Sequence, residues 1–311
     1  MPDSQPWAAI LAGGDGRRLK TLTRSMAGDA RPKQFCQFFG GRTLLDDTRE
    51  RLRLNVSEDH TLCVVSRAHE AYYREALADV PENRLVEQPL NRGTTAAVAA
   101  TLFRLRATDR ATPVGFFPAD HYYRDPLALQ RTVAAAYALT AAYPDRVIAL
   151  GAEATRAETE YGWIEPGDPL AGAPSGAPGL LRHVRGFWEK PQLSIAERLL
   201  TRGCFWNTLV VIGRARAFEA LLEHTVPDVW HEFASRQPGR TPAEHLSALR
   251  AAYAAIRPSD FSHEVLAVAP ERLSVLALPN SGWTDLGQPL RVLDVLADRQ
   301  EVLAVKNCAA G

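Results

Sequence analysis

Trp7-Ala8-Ala9-Ile10-Leu11-Ala12-Gly13-Gly14-Asp15-Gly16-Arg17-Arg18-Leu19 is the stretch on which the fold turns. An apolar run from Trp7 to Leu11 breaks into glycines and then into two arginines. The run reads as a buried strand, and glycines let the following backbone turn sharply and approach a ligand closely. Backbone N–H groups in such a turn can face phosphate oxygens, and an arginine adds charge and a forked donor. A phosphate or nucleotide loop is the functional reading; an ordinary glycine-rich turn is the alternative. No Walker sequence occurs in the chain. A dinucleotide fingerprint fails because Leu19 stands where its third glycine belongs, and the next strand ends Val64-Val65-Ser66-Arg67 without an acid.

Composition narrows the class. The chain has 311 residues, 46% of them hydrophobic, with 36 basic residues against 36 acidic ones. That supports a sizeable core and argues against a general nucleic-acid or membrane-surface binder. The four cysteines, Cys36, Cys63, Cys204 and Cys308, form no C-x-x-C pair, so neither a zinc knuckle nor a disulfide framework is indicated. The N-terminal residues show no basic segment followed by an apolar stretch, and no apolar run reaches membrane-spanning length. A soluble cytoplasmic protein is expected.

Outward from the first strand, Lys20 to Lys33 reads as a polar loop and Arg42 to Asn55 as a helix. Strands are expected at 60–66, 84–87, 114–117 and 146–152, with helices at 67–78, 91–108 and 126–142. This alternation predicts an α/β fold with a largely parallel sheet covered on both faces. Beyond Tyr161 the rhythm changes. Short strands are expected at 161–165, 180–189, 205–212 and 273–278, and a surface loop in the proline- and glycine-rich stretch 166–179. Helices are expected at 193–200, in the segment up to 255, and from 288 to about 297.

Asp120 and Asp285 each follow a predicted buried strand, the edge at which open α/β sheets bind ligands. Were they to meet, they could hold Mg²⁺ against a triphosphate; read singly, each fits a helix cap or turn residue equally well. Two such carboxylates about 4 Å apart repel by roughly 4 kcal/mol at an effective dielectric of 20, so a pair is expected to need a cation. Phe187-Trp188-Glu189-Lys190-Pro191 places an acceptor for hydroxyls beside a point charge suited to phosphate. Trp206-Asn207-Thr208 begins a strand with an amide beside an aromatic. A strand-to-helix turn and a strand-start turn are the bland readings of these two.

The order of the motifs is more specific than any one of them. Gly-Gly-x-Gly-x-Arg-Leu, Pro-Lys-Gln-Phe, Gln-Pro-x-Asn-Arg-Gly-Thr, Pro-Ala-Asp-His, Glu-Thr-x-Tyr-Gly, Glu-Lys-Pro, Trp-Asn and Gly-Trp-x-Asp-x-Gly follow one another from about residue 7 to 298. That series resembles the sugar-1-phosphate nucleotidyltransferases, closest to the mannose-1-phosphate guanylyltransferases. The resemblance implies a Rossmann-like (GT-A-like), mostly parallel mixed sheet with helices on both faces. It implies one catalytic domain over 1–311, with a nucleotide-binding half at about 1–125, a sugar-phosphate half at about 146–290, and no C-terminal β-helix or isomerase domain. It also implies transfer of GMP from GTP to mannose 1-phosphate with release of pyrophosphate. Leu11, Ala12, Gly13, Gly14, Gly16, Arg18 and Lys33 would bind the triphosphate, with Gln88, Arg92, Gly93 and Thr94 near the base. Asp120 and Asp285 would hold Mg²⁺. Tyr161, Gly162, Glu189, Lys190 and Asn207 would take the sugar phosphate, and Arg18, Lys33 and Lys190 would be catalytic. Self-association, if any, would be as a homodimer.

The sequence also departs from that family. Arg17 replaces a small residue, and Lys20-Thr21-Leu22-Thr23-Arg24 replaces the usual continuation of the loop. Gln88 stands where guanylyltransferases usually carry glutamate, Glu160 replaces a glycine, and Thr208-Leu209 replace Ser-Gly. The alternatives these raise are another base or sugar, or a non-catalytic paralogue that binds a nucleotide sugar and regulates a partner enzyme. Retention of both aspartates, Arg18 and both lysines favours catalysis.

Overall fold

The computed structural model describes residues 5–106, 110–170, 181–239 and 241–309. Its centre is a nine-stranded sheet. In chain order the strands are β1 (Trp7–Leu11), β2 (Thr61–Ser66), β3 (Leu85–Gln88), β4 (Pro113–Pro118), β5 (Val147–Glu153), β6 (Gly162–Pro169), β7 (Arg182–Glu189), β8 (Phe205–Arg214) and β9 (Leu273–Leu278). They lie side by side as β3-β2-β1-β4-β8-β5-β9-β7-β6. The first four pair in parallel, as does β5 with β9. β8 runs antiparallel to both β4 and β5, and the β6–β7 and β7–β9 pairs are antiparallel too. The parallel character expected from strand–helix alternation therefore holds for the first half, and the sheet as a whole is mixed.

The helices are α1 (Lys20–Ala27), α2 (Leu44–Leu52), α3 (Glu70–Ala76), α4 (Thr94–Leu105), α5 (Pro126–Ala142), α6 (Leu193–Thr201), α7 (Ala215–Thr225), α8 (Pro227–Ala234), α9 (Pro242–Ala255) and α10 (Pro289–Ala309). Local chemistry fixes several ends. Thr43 and Asp46 form a reciprocal capping box on α2. The Asp125 side chain accepts from the Leu127 and Ala128 N–H groups, and Pro126 begins α5.

Alternating side chains divide the strands between two cores. Ala9, Val64, Val86 and Phe116 face a cluster filled by α4, α7, α8 and α9; Ala8, Ile10, Val65 and Phe117 face one filled by α2, α3, α5 and α6. A third, smaller cluster joins Leu19, Cys36, Phe38 and Leu44 to Leu286, Val292 and Val295. It fastens the turn after the glycine loop to α10.

The sequence reading is corrected at two elements: the last helix runs to Ala309 and not to about 297, and a helix near the start escapes it. The supposed loop from Lys20 to Lys33 contains α1, which ends at Gly28 with φ 82°. Leu19, Leu22, Thr23 and Met26 repeat at helical spacing, a period too short to stand out among charged neighbours. In the stretch 166–179, residues 166–169 belong to β6, and 171–179 lie outside the described residues.

Cys36, Cys63 and Cys204 are free and buried. Burial pushes their thiols up to about 12, about 12 and about 11. Iodoacetamide at pH 8 is expected to leave these three unmodified in the native protein and to label them in urea, as peptide mass mapping would show. Native labelling of Cys63 would contradict the interior position of β2.

Candidate active site

Sequence order gives no hint that the loops after β4 and β9 touch, yet the fold lays them together. Tyr122 and Thr284 form an antiparallel bridge, with N–H···O distances of 3.0 and 3.1 Å, and the Asp125 N–H donates to the Ser281 carbonyl at 3.1 Å. The Trp283 indole N–H donates to His121 Nδ1 at 3.1 Å, pinning the residue beside Asp120 to the loop of Asp285. Burial pushes His121 down to about 4, so it stays neutral and leaves the charge to its neighbours.

Lys33 sits where these loops meet the glycine loop. Its ammonium lies 3.3 Å from Asp120 Oδ2 and donates to the Asp285 backbone carbonyl. Lys33 is buried apart from 8% of its surface, so its charge is aimed rather than mobile. The loop is braced from within. Gln34 donates its amide to the carbonyls of Ala12 (2.8 Å) and Gly14 (2.9 Å), while Gly16 takes a left-handed φ of 57° to start the turn carrying Arg18. Leu11 ends β1, and the Ala12 N–H donates to the Val64 carbonyl at 2.8 Å. Gly14 is exposed. Gly16, Arg18, Lys33, Asp120 and Gly287 line one cleft of about 260 Å³. A Cβ on Gly287 would stand 2.5 Å from Asp285 Oδ2 and 3.1 Å from an Arg18 nitrogen, so both side chains close over the bare glycine.

Asp285 is more heavily compensated than the sequence reading allowed. Its Oδ1 accepts from the Gly287 N–H at 2.7 Å and from Arg291 at 2.5 Å. Burial raises its pKa, but Lys33 and Arg291 outweigh that and hold the carboxyl below its usual range.

The sugar-side candidates also converge. Glu189, at the end of β7, pairs with Gly162 at the start of β6, and Lys190 donates its backbone N–H to the Tyr161 carbonyl at 3.2 Å. Lys190 adopts φ 48°, a left-handed conformation that sets its side chain against Glu189 Oε1 at 3.1 Å. A Cβ on Gly162 would come 2.7 Å from Glu189 Oε2 and 3.1 Å from the Asn207 Cβ, so these residues crowd one spot. Burial raises the Glu189 pKa, and Lys190 only partly restores it. The Tyr161 hydroxyl is 3.0 Å from Thr284 Oγ1, and its ring packs on Trp283 and Trp206 at 4.8 and 5.2 Å. This aromatic group joins the sugar-side residues to the Asp285 loop.

The base-side candidates are divided. Gln88 is buried with its amide nitrogen 2.4 Å from where a Cβ on Gly13 would stand, and its Oε1 lies 3.1 Å from the Tyr253 hydroxyl. Arg92, by contrast, donates Nε to the Tyr253 carbonyl at 3.2 Å and accepts the Ser259 N–H at its own carbonyl at 2.9 Å. Gly93 and the half-buried Thr94 start α4 under that same Ser259 segment. The contact from this turn to the glycine loop comes instead from Asn91, which donates to Asp15 at 3.2 Å.

Sequence reasoning gave no role to Asp15, Tyr253 and Arg291, and it quoted Glu158 only as the first residue of the Glu-Thr-x-Tyr-Gly motif. It recorded Glu160 only as a departure, yet Glu160 pairs with Arg18 at 2.6 Å. Glu158 accepts the Glu160 N–H at 3.1 Å and pairs with Arg291 at 3.1 Å. The only signal in the sequence was the clustering of acids around Tyr161.

A glycine loop, an aimed lysine and two joined aspartate-bearing loops are the features of a nucleotide-handling α/β protein. The chain belongs to the nucleotidyl transferase family, whose model matches residues 7–301. The alginate biosynthesis protein AlgA of Pseudomonas fluorescens is 32% identical over 283 residues, covering 89% of this chain and 56% of AlgA. The mannose-1-phosphate guanylyltransferase RfbM of Salmonella typhimurium is 27% identical over 291 residues, 92% of this chain and 58% of RfbM. The chain thus spans a little over half the length of these curated relatives. A solved structure described as a mannose-1-phosphate geranyltransferase from Thermus thermophilus aligns with TM-score 0.76 and 31% identity, over 91% of this chain and 77% of the other. A UDP-glucose pyrophosphorylase complexed with UDP-glucose aligns at TM-score 0.55 and 15% identity, over 96% and 99% of the two chains, a likeness of fold alone. No helix among the described residues is long and apolar enough to cross a membrane.

Proposed function

We propose that this chain, acting as one catalytic unit, transfers GMP from GTP to mannose 1-phosphate, forming a nucleotide sugar and releasing pyrophosphate. The observation that carries this reading is the Lys33 ammonium, held between the Asp120 carboxylate and the Asp285 carbonyl. It marks a position where acidic loops from both halves of the sheet already accept positive charge.

Those residues suit a magnesium ion. Both aspartates offer hard oxygens, and the Lys33 ammonium already lies against Asp120 Oδ2 and the Asp285 carbonyl. Mg²⁺ favours one or two carboxylates completed by phosphate oxygens and water. Asp120 and Asp285 would hold it, and it would supply neutralisation of the charge that develops on the triphosphate.

In the reaction, an ionised oxygen of the sugar phosphate attacks the α-phosphorus. The bond from that phosphorus to the β-phosphate bridging oxygen breaks, and the electron pair leaves with pyrophosphate. The attacking oxygen is already ionised near neutral pH, so no strong base is needed. The protein's share is alignment and charge. Arg18 and Lys33 grip the triphosphate over the glycine loop. Lys190 holds the sugar phosphate, while Glu189 and Asn207 take sugar hydroxyls beside Gly162 and Tyr161.

Gln88 supports a second reading of the base. Its amide nitrogen faces Gly13 of the glycine loop and offers donors there, whereas the N1–H and N2–H₂ of guanine call for acceptors. The deciding experiment sets four nucleoside triphosphates against several sugar 1-phosphates with Mg²⁺, scored by pyrophosphate release. GTP with mannose 1-phosphate is expected to react; a preferred pair with another base would assign the specificity to Gln88. Tight binding of a nucleotide sugar without turnover on any pair would establish the regulatory reading instead.

A further inference from the structure

Arg291 belongs to no motif, lies in the first turn of α10, and is 6% exposed. One arm reaches Asp285 Oδ1 at 2.5 Å, and the other reaches Glu158 Oε2 at 3.1 Å. Its guanidinium carbon lies 4.2 Å from the centroid of the Tyr161 ring. A planar fork held at both arms and on one face has a single orientation. The consequence falls on Asp285. The hydrogen bonds from Arg291 and from the Gly287 N–H both go to Oδ1. Oδ2 receives neither bond; a Cβ on Gly287, which lines the cleft, would stand 2.5 Å from Oδ2, 3.0 Å from Oδ1 and 3.1 Å from an Arg18 nitrogen.

We propose that Arg291 is a positioning residue that locks Asp285 so that Oδ2 alone is offered to a divalent cation, and that its charge keeps the cation weakly held until substrate phosphates join. The inference rests on Asp285 being a cation ligand. One-oxygen ligation suits the strict octahedron of Mg²⁺, whereas a carboxylate with both oxygens available also suits the larger, more permissive Ca²⁺. Arg291 therefore serves cation choice as well as geometry, and through Glu158 and Tyr161 it ties that geometry to the sugar side.

The test measures Mn²⁺ binding to the substrate-free protein by electron paramagnetic resonance, with Ca²⁺ as competitor, alongside turnover at saturating Mg²⁺. Arg291→Met removes both the charge and the lock. It is expected to bind Mn²⁺ about tenfold more tightly, to let Ca²⁺ compete more effectively, and to turn over about tenfold more slowly. Damage to folding alone would not tighten metal binding. Arg291→Lys keeps the charge but cannot hold both acids, so Mn²⁺ affinity should stay within twofold while turnover falls about tenfold. Unchanged or weaker Mn²⁺ binding in Arg291→Met, with only a lower Tm, would overturn the proposal. Should that variant not fold, full turnover in Arg291→Lys would overturn it. If the wild type binds Mn²⁺ and Asp285→Asn abolishes that binding, such a failure belongs to Arg291 alone. If Asp285→Asn changes nothing, the cation site itself is wrong and both readings fall.

Discussion

Asp285→Asn is expected to lower turnover by roughly 10²–10³-fold, the scale of losing a main stabiliser of developing charge. It should also destabilise the substrate-free protein by about 1–3 kcal/mol. The second effect reverses what two bare carboxylates would give, since removing one charge from a repelling pair ought to help. Here the carboxylate is the partner of a buried arginine, and an amide leaves that guanidinium poorly matched. Asp120→Asn should lose turnover to a similar degree with a smaller change in stability, because its lysine keeps the Asp285 carbonyl as a partner. The double variant should be little slower than either single one, since two ligands of one ion act as a unit. Urea unfolding and steady-state rates of the three variants decide the matter. Multiplicative losses would mean two independent sites, and an active Asp285→Asn protein would make that residue a structural turn.

Lys190→Ala should raise the KM for mannose 1-phosphate by roughly 10- to 100-fold, the scale of one lost charge-assisted hydrogen bond, with the KM for the triphosphate within about twofold. Turnover should fall as well, through lost alignment. The same change removes the cation that counters burial at Glu189. Glu189 accepts from hydroxyls most strongly when ionised, and its grip weakens as pH falls through its raised pKa. The acid limb of sugar-phosphate binding should therefore move to higher pH in the variant. A triphosphate KM that rises while the sugar-phosphate KM holds would move Lys190 to the other side of the cleft.

Much of this site was legible in the chain because its parts are local. β1, α5 and β9 fall where apolar runs, the Asp125-Pro126 start and the turn residues put them. The glycine loop and the Glu-Lys-Pro turn are likewise contiguous. What could not be read depends on partners distant in sequence. An apolar strand such as β8 looks the same whichever way its neighbours run, so its antiparallel pairing was invisible. The meeting of the Asp120 and Asp285 loops rests on contacts distant in sequence: the Tyr122–Thr284 bridge and the hydrogen bonds from Asp125 to Ser281 and from Trp283 to His121. Arg291 reads as one more surface charge on a helix until the fold brings two acids and an aromatic ring to it. Arg92 sits in a motif that implies a ligand contact, and a partner no sequence pattern shows, the Tyr253 carbonyl, takes its Nε.

The small apolar cluster of Leu19, Leu286, Val292 and Val295 bears on where this protein can be cut. By position α10 looks like an appendage following the last strand, the kind of segment trimmed to obtain a minimal domain. Its first turns instead form the back wall of the arginine-bearing turn, and Leu286, beside Asp285, is wedged between the two. A truncation before Pro289 would expose that wedge and free Arg18 and Asp285 together, so the shortened protein would keep its sheet and lose its chemistry.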